Sequence, residues 1–353
     1  MKNINKPLLV ILLLMSGICS CKRENALPVY SVNTITSSAK EISEKDLNAH
    51  IDHIQLETTE KSLIADFMDL VMTKEYFFIL TSTPKVLQFT REGKFVRQIS
   101  MIGNGPGEHR QLFSIFVNEN SGRIFIAEIF GRIMEFDFDG AFIGAHKKGD
   151  GLSRFIFGKN NNLLESVQVL MGNEPVKLYV MKMDGDTLKR FENHLKYEFT
   201  ISSVSSSYGD YKSMFTLDGK IIYHQISTDT VFTYNPNSLD LEPRYCFSNP
   251  GGPDAEDFKH FREKMPELYL IYDVAEDNNF IYVSVISPPW KRDLYMIDKK
   301  SEKYYQLNFP LSDDPEKQFM PRWQYNNCLI DFVNKQDDIN PELVIMKIDG
   351  ISR

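Results

Sequence analysis

The chain repeats itself. The segment Phe89-Thr-Arg-Glu-Gly-Lys-Phe95 is echoed by Phe136-Asp-Phe-Asp-Gly-Ala-Phe142, 47 residues later. The words Met181-Lys-Met-Asp-Gly185 and Met346-Lys-Ile-Asp-Gly350 carry the pattern further. In each case an alternating strand runs into Asp-Gly or Glu-Gly, a strong signal for a tight hairpin. Around these words lie short apolar runs rich in Val, Ile, Phe and Tyr, separated by Gly, Asn, Asp and Ser. A four-stranded β unit recurring every ~40–50 residues is the mark of a β-propeller.

Counting units predicts an all-β, six-bladed β-propeller of four-stranded blades. Blade one runs over 68–100, blade two over 113–146 and blade three over 154–192. Blade four runs over 212–247, blade five over 271–308 and blade six over 320–348. Blade six is one strand short. Ile51–Glu57 alternates like a strand and belongs to no other unit, so it is predicted to complete blade six as its outer strand. A ring left open would expose two strand edges. Two stacked β-sandwiches would explain neither the echo nor the paired incomplete ends. The one helical candidate is Asp254–Leu268, after Asn249-Pro-Gly-Gly-Pro253.

The N-terminus reads as an address. Lys2 and Lys6 precede the unbroken apolar run Leu8–Met15. That run is too short to span a ~30 Å hydrocarbon core, so it reads as a leader. Ile18-Cys19-Ser20-Cys21 resembles a bacterial lipobox, with Cys21 as the lipid acceptor; Ile18 is too large to precede an acceptor at Cys19. The alternative is a plain secretory leader cut near Ser20. Residues 1–20 are thus expected to be a lipoprotein signal peptide, 21–49 an anchor linker and 50–353 the propeller. The expected address is the outer membrane, lipid-anchored, because Lys22 rather than Asp follows the cysteine. Cys246 and Cys328 fall in non-adjacent blades and are expected to stay free thiols, although an exported chain could oxidise them.

With these words in hand a family resemblance is plain. The order of lipobox, Ile54-Gln-Leu-Glu-Thr-Thr59, blade one, Gly103-Asn-Gly-Pro-Gly-Glu108 and blade two resembles the Bacteroidota six-bladed β-propeller lipoproteins, which look related to NHL-repeat propellers. The closing Asn340-Pro-Glu-Leu-Val-Ile-Met-Lys-Ile348 resembles that family's last strand. The resemblance implies fold and cell address. It carries no catalytic residue across.

Chemistry is harder to find. Lys plus Arg number 40 against 48 Asp plus Glu, a net charge of −8. A general nucleic-acid binder needs a basic face, so that class is excluded. Gly103–Glu108 is not Gly-x-Gly-x-x-Gly and precedes a strand, so it reads as a turn between blades rather than a phosphate loop. The seven histidines show no zinc-hydrolase spacing, and Gly-x-Ser-x-Gly is absent. The first strand of each blade should line the central channel. Its polar residues, Asp69, Ser114, Arg154, Lys212, Asp273 and Arg322, are candidates for a small anionic or sugar ligand, or equally for pairing with one another. An Asp69/Asp273 pair holding a divalent cation would resemble the calcium-dependent lactonase propellers, without their full oxygen set. A second candidate is Trp290 with Arg292, in the loop Pro288-Pro-Trp-Lys-Arg292 of blade five, where a tryptophan can stack on a sugar or anchor a protein. The helical candidate could cap the same neighbourhood.

The expected function is therefore a non-catalytic binding scaffold for a protein partner or glycan, held to the membrane through Cys21 and needing no cofactor. The alternatives are a metal-dependent lactonase or hydrolase with its site in the channel, and a subunit of a surface uptake complex.

Overall fold

The computed structural model describes residues 26–148, 152–168, 172–200, 214–226, 228–312, 317–334 and 339–352. Cys21 and Lys212 lie outside the described residues. The chain opens with strand β1 (Val29–Ser31), helix α1 (Val32–Ser38), strand β2 (Lys40–Ser43) and strand β3 (Leu47–Gln55). Blade one follows as β4 (Phe67–Met72), β5 (Tyr76–Thr81), β6 (Val86–Thr90) and β7 (Phe95–Gln98). A two-residue ladder, β8 (Met101–Ile102) with β9 (Glu108–His109), leads to blade two: β10 (Leu112–Asn118), β11 (Arg123–Glu128), β12 (Arg132–Asp137) and β13 (Phe142–Lys147). Blade three is β14 (Ser153–Phe157), β15 (Leu163–Val167), β16 (Val176–Met181) and β17 (Thr187–Glu192). Blade four is β18 (Met214–Leu217), β19 (Lys220–Tyr223), β20 (Thr230–Asn235) and β21 (Asp240–Ser248). Helices α2 (Ala255–Lys259) and α3 (Phe261–Lys264) precede blade five, which is β22 (Leu270–Glu276), β23 (Phe280–Ser287), β24 (Lys291–Asp298) and β25 (Tyr304–Asn308). Blade six is β26 (Trp323–Tyr325), β27 (Cys328–Val333) and β28 (Glu342–Ile351), with β3 as its outer strand.

The fold is thus the six-bladed β-propeller, closed as the incomplete blade foretold. Strand β3 runs antiparallel to β28 from Gln55 opposite Glu342 to Leu47 opposite Ile351. The Asp-Gly words are hairpins where a fourth strand follows: Gly93, Gly140 and Gly185 have φ of 79°, 81° and 94°. Gly93 must be glycine for a second reason, because an added Cβ would lie 2.3 Å from the carbonyl oxygen of Gln55 in the closing strand. Asp349-Gly350 makes no hairpin. It sits at a register shift inside β28, with Gly350 opposite Asn48.

Residues 26–46, expected as linker, instead form a strap around the rim. Strand β1 adds in parallel to β21 of blade four, and β2 adds in parallel to β25 of blade five. Between them Val32 and Ile35 are fully buried among residues of blades four and five, including Val231, Phe247, Ile297 and Val285. The helical candidate is real but broken: α2 is capped by Asp254, whose carboxylate accepts from Asp257 N, and α3 follows as a single turn. Cys246 and Cys328 are free and half-buried. No helix among the described residues is long and apolar enough to cross a membrane.

Candidate functional site

Four strands per blade mean that every inner strand enters from one face of the disc. That face, called the upper face here, carries the loops between blades and the turns between second and third strands. The lower face carries the other turns. A cavity of about 270 Å³ fills the axis, lined by all six inner strands, with Leu70, Ile115, Phe155, Phe215, Val274 and Gln324 among its walls.

Toward the upper face the cavity is stoppered by Asp69, Arg154 and Trp323. Arg154 Nη1 donates to Asp69 Oδ2 at 2.7 Å, and Trp323 Nε1 donates to Asp69 Oδ1 at 3.2 Å. The Arg154 guanidinium also lies 5.4 Å from the centre of the Phe113 ring. Toward the lower face, Tyr325 of blade six donates to Glu119 Oε2 of blade two at 3.1 Å. Burial, and then Glu119, push the Tyr325 hydroxyl up to about 12.

The other polar candidates, on or beside inner strands or on β24, are paired in the same way. Arg292 donates to Asp273 Oδ2 at 2.9 Å and to Ser284 Oγ at 2.7 Å, over the Tyr272 ring. Arg322 Nε lies 3.0 Å from Asp331 Oδ1, with its guanidinium over Phe332. Asp331 is so deeply buried that its carboxyl rises to about 6 in spite of Arg322. Ser114 donates to the Ser153 carbonyl at 2.9 Å. Asp69 and Asp273 each face a guanidinium, and they do not form a shared oxygen cage. Among the described residues no three His, Cys, Asp or Glu side chains come close enough to hold a metal.

Gly103–Glu108 is a turn between blades, as expected. Gly107 takes φ 75°, the Glu108 carboxylate accepts from Gly105 N at 2.7 Å, and a Cβ on Gly103 would lie 2.0 Å from that carboxylate. His109 is fully buried beneath it, with Nδ1 2.8 Å from Ser100 Oγ and Nε2 2.6 Å from the Pro84 carbonyl. Burial lowers its pKa.

Trp290 stands on the upper face, 54% exposed, at the tip of the β23–β24 hairpin. Phe261 of the helical insertion packs against it edge-on, with ring centres 6.3 Å apart. Arg292 is not beside it in open solvent but turned to Asp273, as described. The larger pattern escaped the sequence reading. Eleven large apolar side chains are exposed among the described residues: Leu27, Val29, Ile143 and Leu188 on the strap and the outer strands at the rim, and seven on connections between blade strands, Leu63, Met101, Ile102, Phe130, Phe199, Trp290 and Ile339. All seven lie on the upper face. The lower turns are Asn118–Gly122, Lys159–Asn162, Asp218-Gly219, Asp277–Asn279 and the like, without one. Met101 and Ile102 pair with Glu108 and His109, and the hairpin bearing Phe130 packs on the other side of that segment through Ile129 N to the Gln111 carbonyl and Arg132 to the Glu108 carbonyl. The three side chains are 60%, 66% and 76% exposed, so they make one protruding patch over blades one and two. Their only trace in sequence was an apolar residue beside a turn glycine, Phe130-Gly131 and Ile102-Gly103.

Three comparisons place the molecule. The family described as "Domain of unknown function (DUF4934)" matches residues 27–344. A "Putative exported protein" from Bacteroides fragilis shares the fold with a TM-score of 0.71, at 13% identity, covering 91% of this chain and 99% of that one. The WD40 repeats of RRP9 align with a TM-score of 0.51 at 8% identity, covering 84% of this chain and 97% of that one. No curated protein matches the sequence.

Proposed function

This chain belongs to the DUF4934 family, and on that premise we propose that it is a lipid-anchored, non-catalytic binding scaffold of the cell envelope that engages a protein partner or glycan through its upper face. The observation that carries the reading is the one-sidedness of the surface. Protruding apolar side chains on a folded protein cost solvation free energy and are retained where a partner covers them. Here seven stand on the upper face and four along the rim, while the described lower turns carry none. The channel supports the same reading, because its carboxylates are engaged within the protein, Asp69 by Arg154 and Glu119 by the Tyr325 hydroxyl. The lipobox-like Ile18–Cys21 supports the lipid anchor, and the description of the Bacteroides fragilis neighbour as a "Putative exported protein" is compatible with export alone.

The test is site-specific photo-crosslinking of the full chain in cells. A photoreactive residue replaces Ile102 or Phe130 on the upper face, or Asn120 or Asn160 on the lower. Discrete adducts from the upper positions alone are expected. Adducts distributed evenly between the faces, or none from either, would overturn the proposal.

A further inference from the structure

We propose that Arg292 and Arg322 form an oxyanion cradle on the upper face, between blades five and six, that takes a carboxylate or phosphate group of a small ligand. This goes beyond the scaffold reading, because it assigns a ligand site with a chemistry of its own beside the channel mouth.

The first observation is which charge stands outside. Arg292 meets Asp273, and Arg322 meets Asp331. The arginine side chains are 30% and 43% exposed, whereas the carboxylates are 11% and 2% exposed. Each pair thus turns its cation to solvent and its anion to the core. Arg154, which braces the ring, is instead buried together with its carboxylate.

The second is how little of each guanidinium is used. A guanidinium carries donors on all of its nitrogens. Arg322 spends Nε on Asp331, and Arg292 spends Nε on Ser284 and Nη2 on Asp273. Both terminal nitrogens of Arg322, and Nη1 of Arg292, donate to nothing among the described residues. These spare donors are nonetheless held in place. The Arg292 guanidinium lies 4.4 Å from the centre of the Tyr272 ring, and that of Arg322 lies 5.0 Å from the centre of the Phe332 ring. A fork fixed by a ring on one side and a carboxylate on another loses little freedom when it binds.

The third brings the two forks to one place. Gln324 of β26 accepts from Glu276 N of β22 at 3.1 Å and donates back to the Glu276 carbonyl. Both inner strands descend from the upper face, so two residues earlier Arg322 stands level with Val274, the neighbour of Asp273. Burial raises the Asp331 carboxyl, and Arg322 and then Arg292 pull it back, so both cations act on one buried group. Planar N–H forks match the paired oxygens of a carboxylate or a phosphate. A neutral sugar or an apolar anchor makes no use of their charge.

The test is calorimetric titration of the full chain with inorganic phosphate, D-glucuronate and, as a neutral counterpart, D-glucose, at an ionic strength held constant with sodium chloride. Saturable binding of phosphate or glucuronate is expected, and none of glucose. A response to phosphate alone identifies the group as phosphate, and to glucuronate alone as carboxylate. Arg292→Lys and Arg322→Lys keep a cation over each buried carboxylate but lose the fork. Each should bind the anion about tenfold more weakly. Lys147→Gln, which removes an exposed cation from blade two, should bind it as the parent chain does. Melting curves confirm that each variant is folded. No saturable anion binding, equal binding of glucose, or undiminished affinity in both lysine variants would overturn the assignment. The crosslinks at Ile102 and Phe130 are read separately, so the anion site can fail while the scaffold stands.

Discussion

Arg154 reaches across the channel to Asp69, with Nη1 at 2.7 Å from Oδ2 and both side chains nine-tenths buried. The bond joins blade three to blade one, skipping blade two, and Trp323 brings blade six to the same carboxylate. Removing one partner of such a pair strands a charge in the interior. Asp69→Ala should cost about 3–5 kcal/mol in urea denaturation. The double variant Asp69→Leu, Arg154→Met should recover most of that loss. A single-variant cost under about 1 kcal/mol, the range of a surface pair, would show that the bond does not brace the ring.

Two buried groups should bend the pH profile in opposite directions. His224 is fully buried against the Thr228 carbonyl at 3.0 Å, and burial lowers it from 6.5 to about 4. The unfolded chain therefore takes the proton first, and stability is lost as the pH falls from 6.5 to 4. Burial raises Asp331 from 3.8 to about 6. Here the folded chain holds the proton more tightly, so stability is lost as the pH rises from 3.8 to 6. Each swing is worth about 3 kcal/mol at most. Relative to the parent chain, His224→Gln should lose stability as the pH rises from 4 to 6, and Asp331→Asn as it falls. Parallel profiles for all three proteins would refute the assignment.

The rim strap should contribute measurably to stability. Ile35 is fully buried between blades four and five. Ile35→Ala should cost about 2–4 kcal/mol, read as a lower urea midpoint with an unchanged slope. An unshifted midpoint would mean the strap merely rests on the rim.

Membrane attachment should depend on one cysteine. Cys21→Ala should move the chain from the membrane fraction to the soluble fraction, whereas Cys19→Ala should not. Retention of the Cys21→Ala protein in membranes would refute lipidation at that residue.

The ring was readable because its repeats are local. An alternating strand and an Asp-Gly turn are written in a handful of consecutive residues, and Gly93, Gly140 and Gly185 adopt the positive φ those words require. The same word misleads at Asp349-Gly350, where the next strand is supplied by β3 from the other end of the sequence. The strap was missed because its strands are three and four residues long, below the length at which alternation speaks. At the channel, strand counting placed Asp69, Arg154, Asp273 and Arg322 on or beside inner strands. It left pairing among them open, and Asp69 with Arg154 is such a pair; it did not reach the other partner of Asp69, Trp323, 254 residues away. The upper patch was hidden for a different reason. An isolated Phe130 or Ile102 in a β-rich sequence reads as core, and only the three-dimensional structure shows which apolar residues are left outside.

The seam between β3 and β28 also bears on the order of events when the chain folds. Leu47 must find Ile351, and Gln55 must find Glu342. Contacts this distant in sequence are slow to form, because a long loop must close before they contribute anything. Blades one to five can assemble from neighbouring strands as synthesis proceeds. Blade six waits for residues 342–351. Until they arrive the unfinished ring offers a bare strand edge, the kind of surface that recruits other chains. The seam is therefore a test of completeness: a product cut short before residue 342 lacks β28, so β3 has no partner and the ring has no means of shutting.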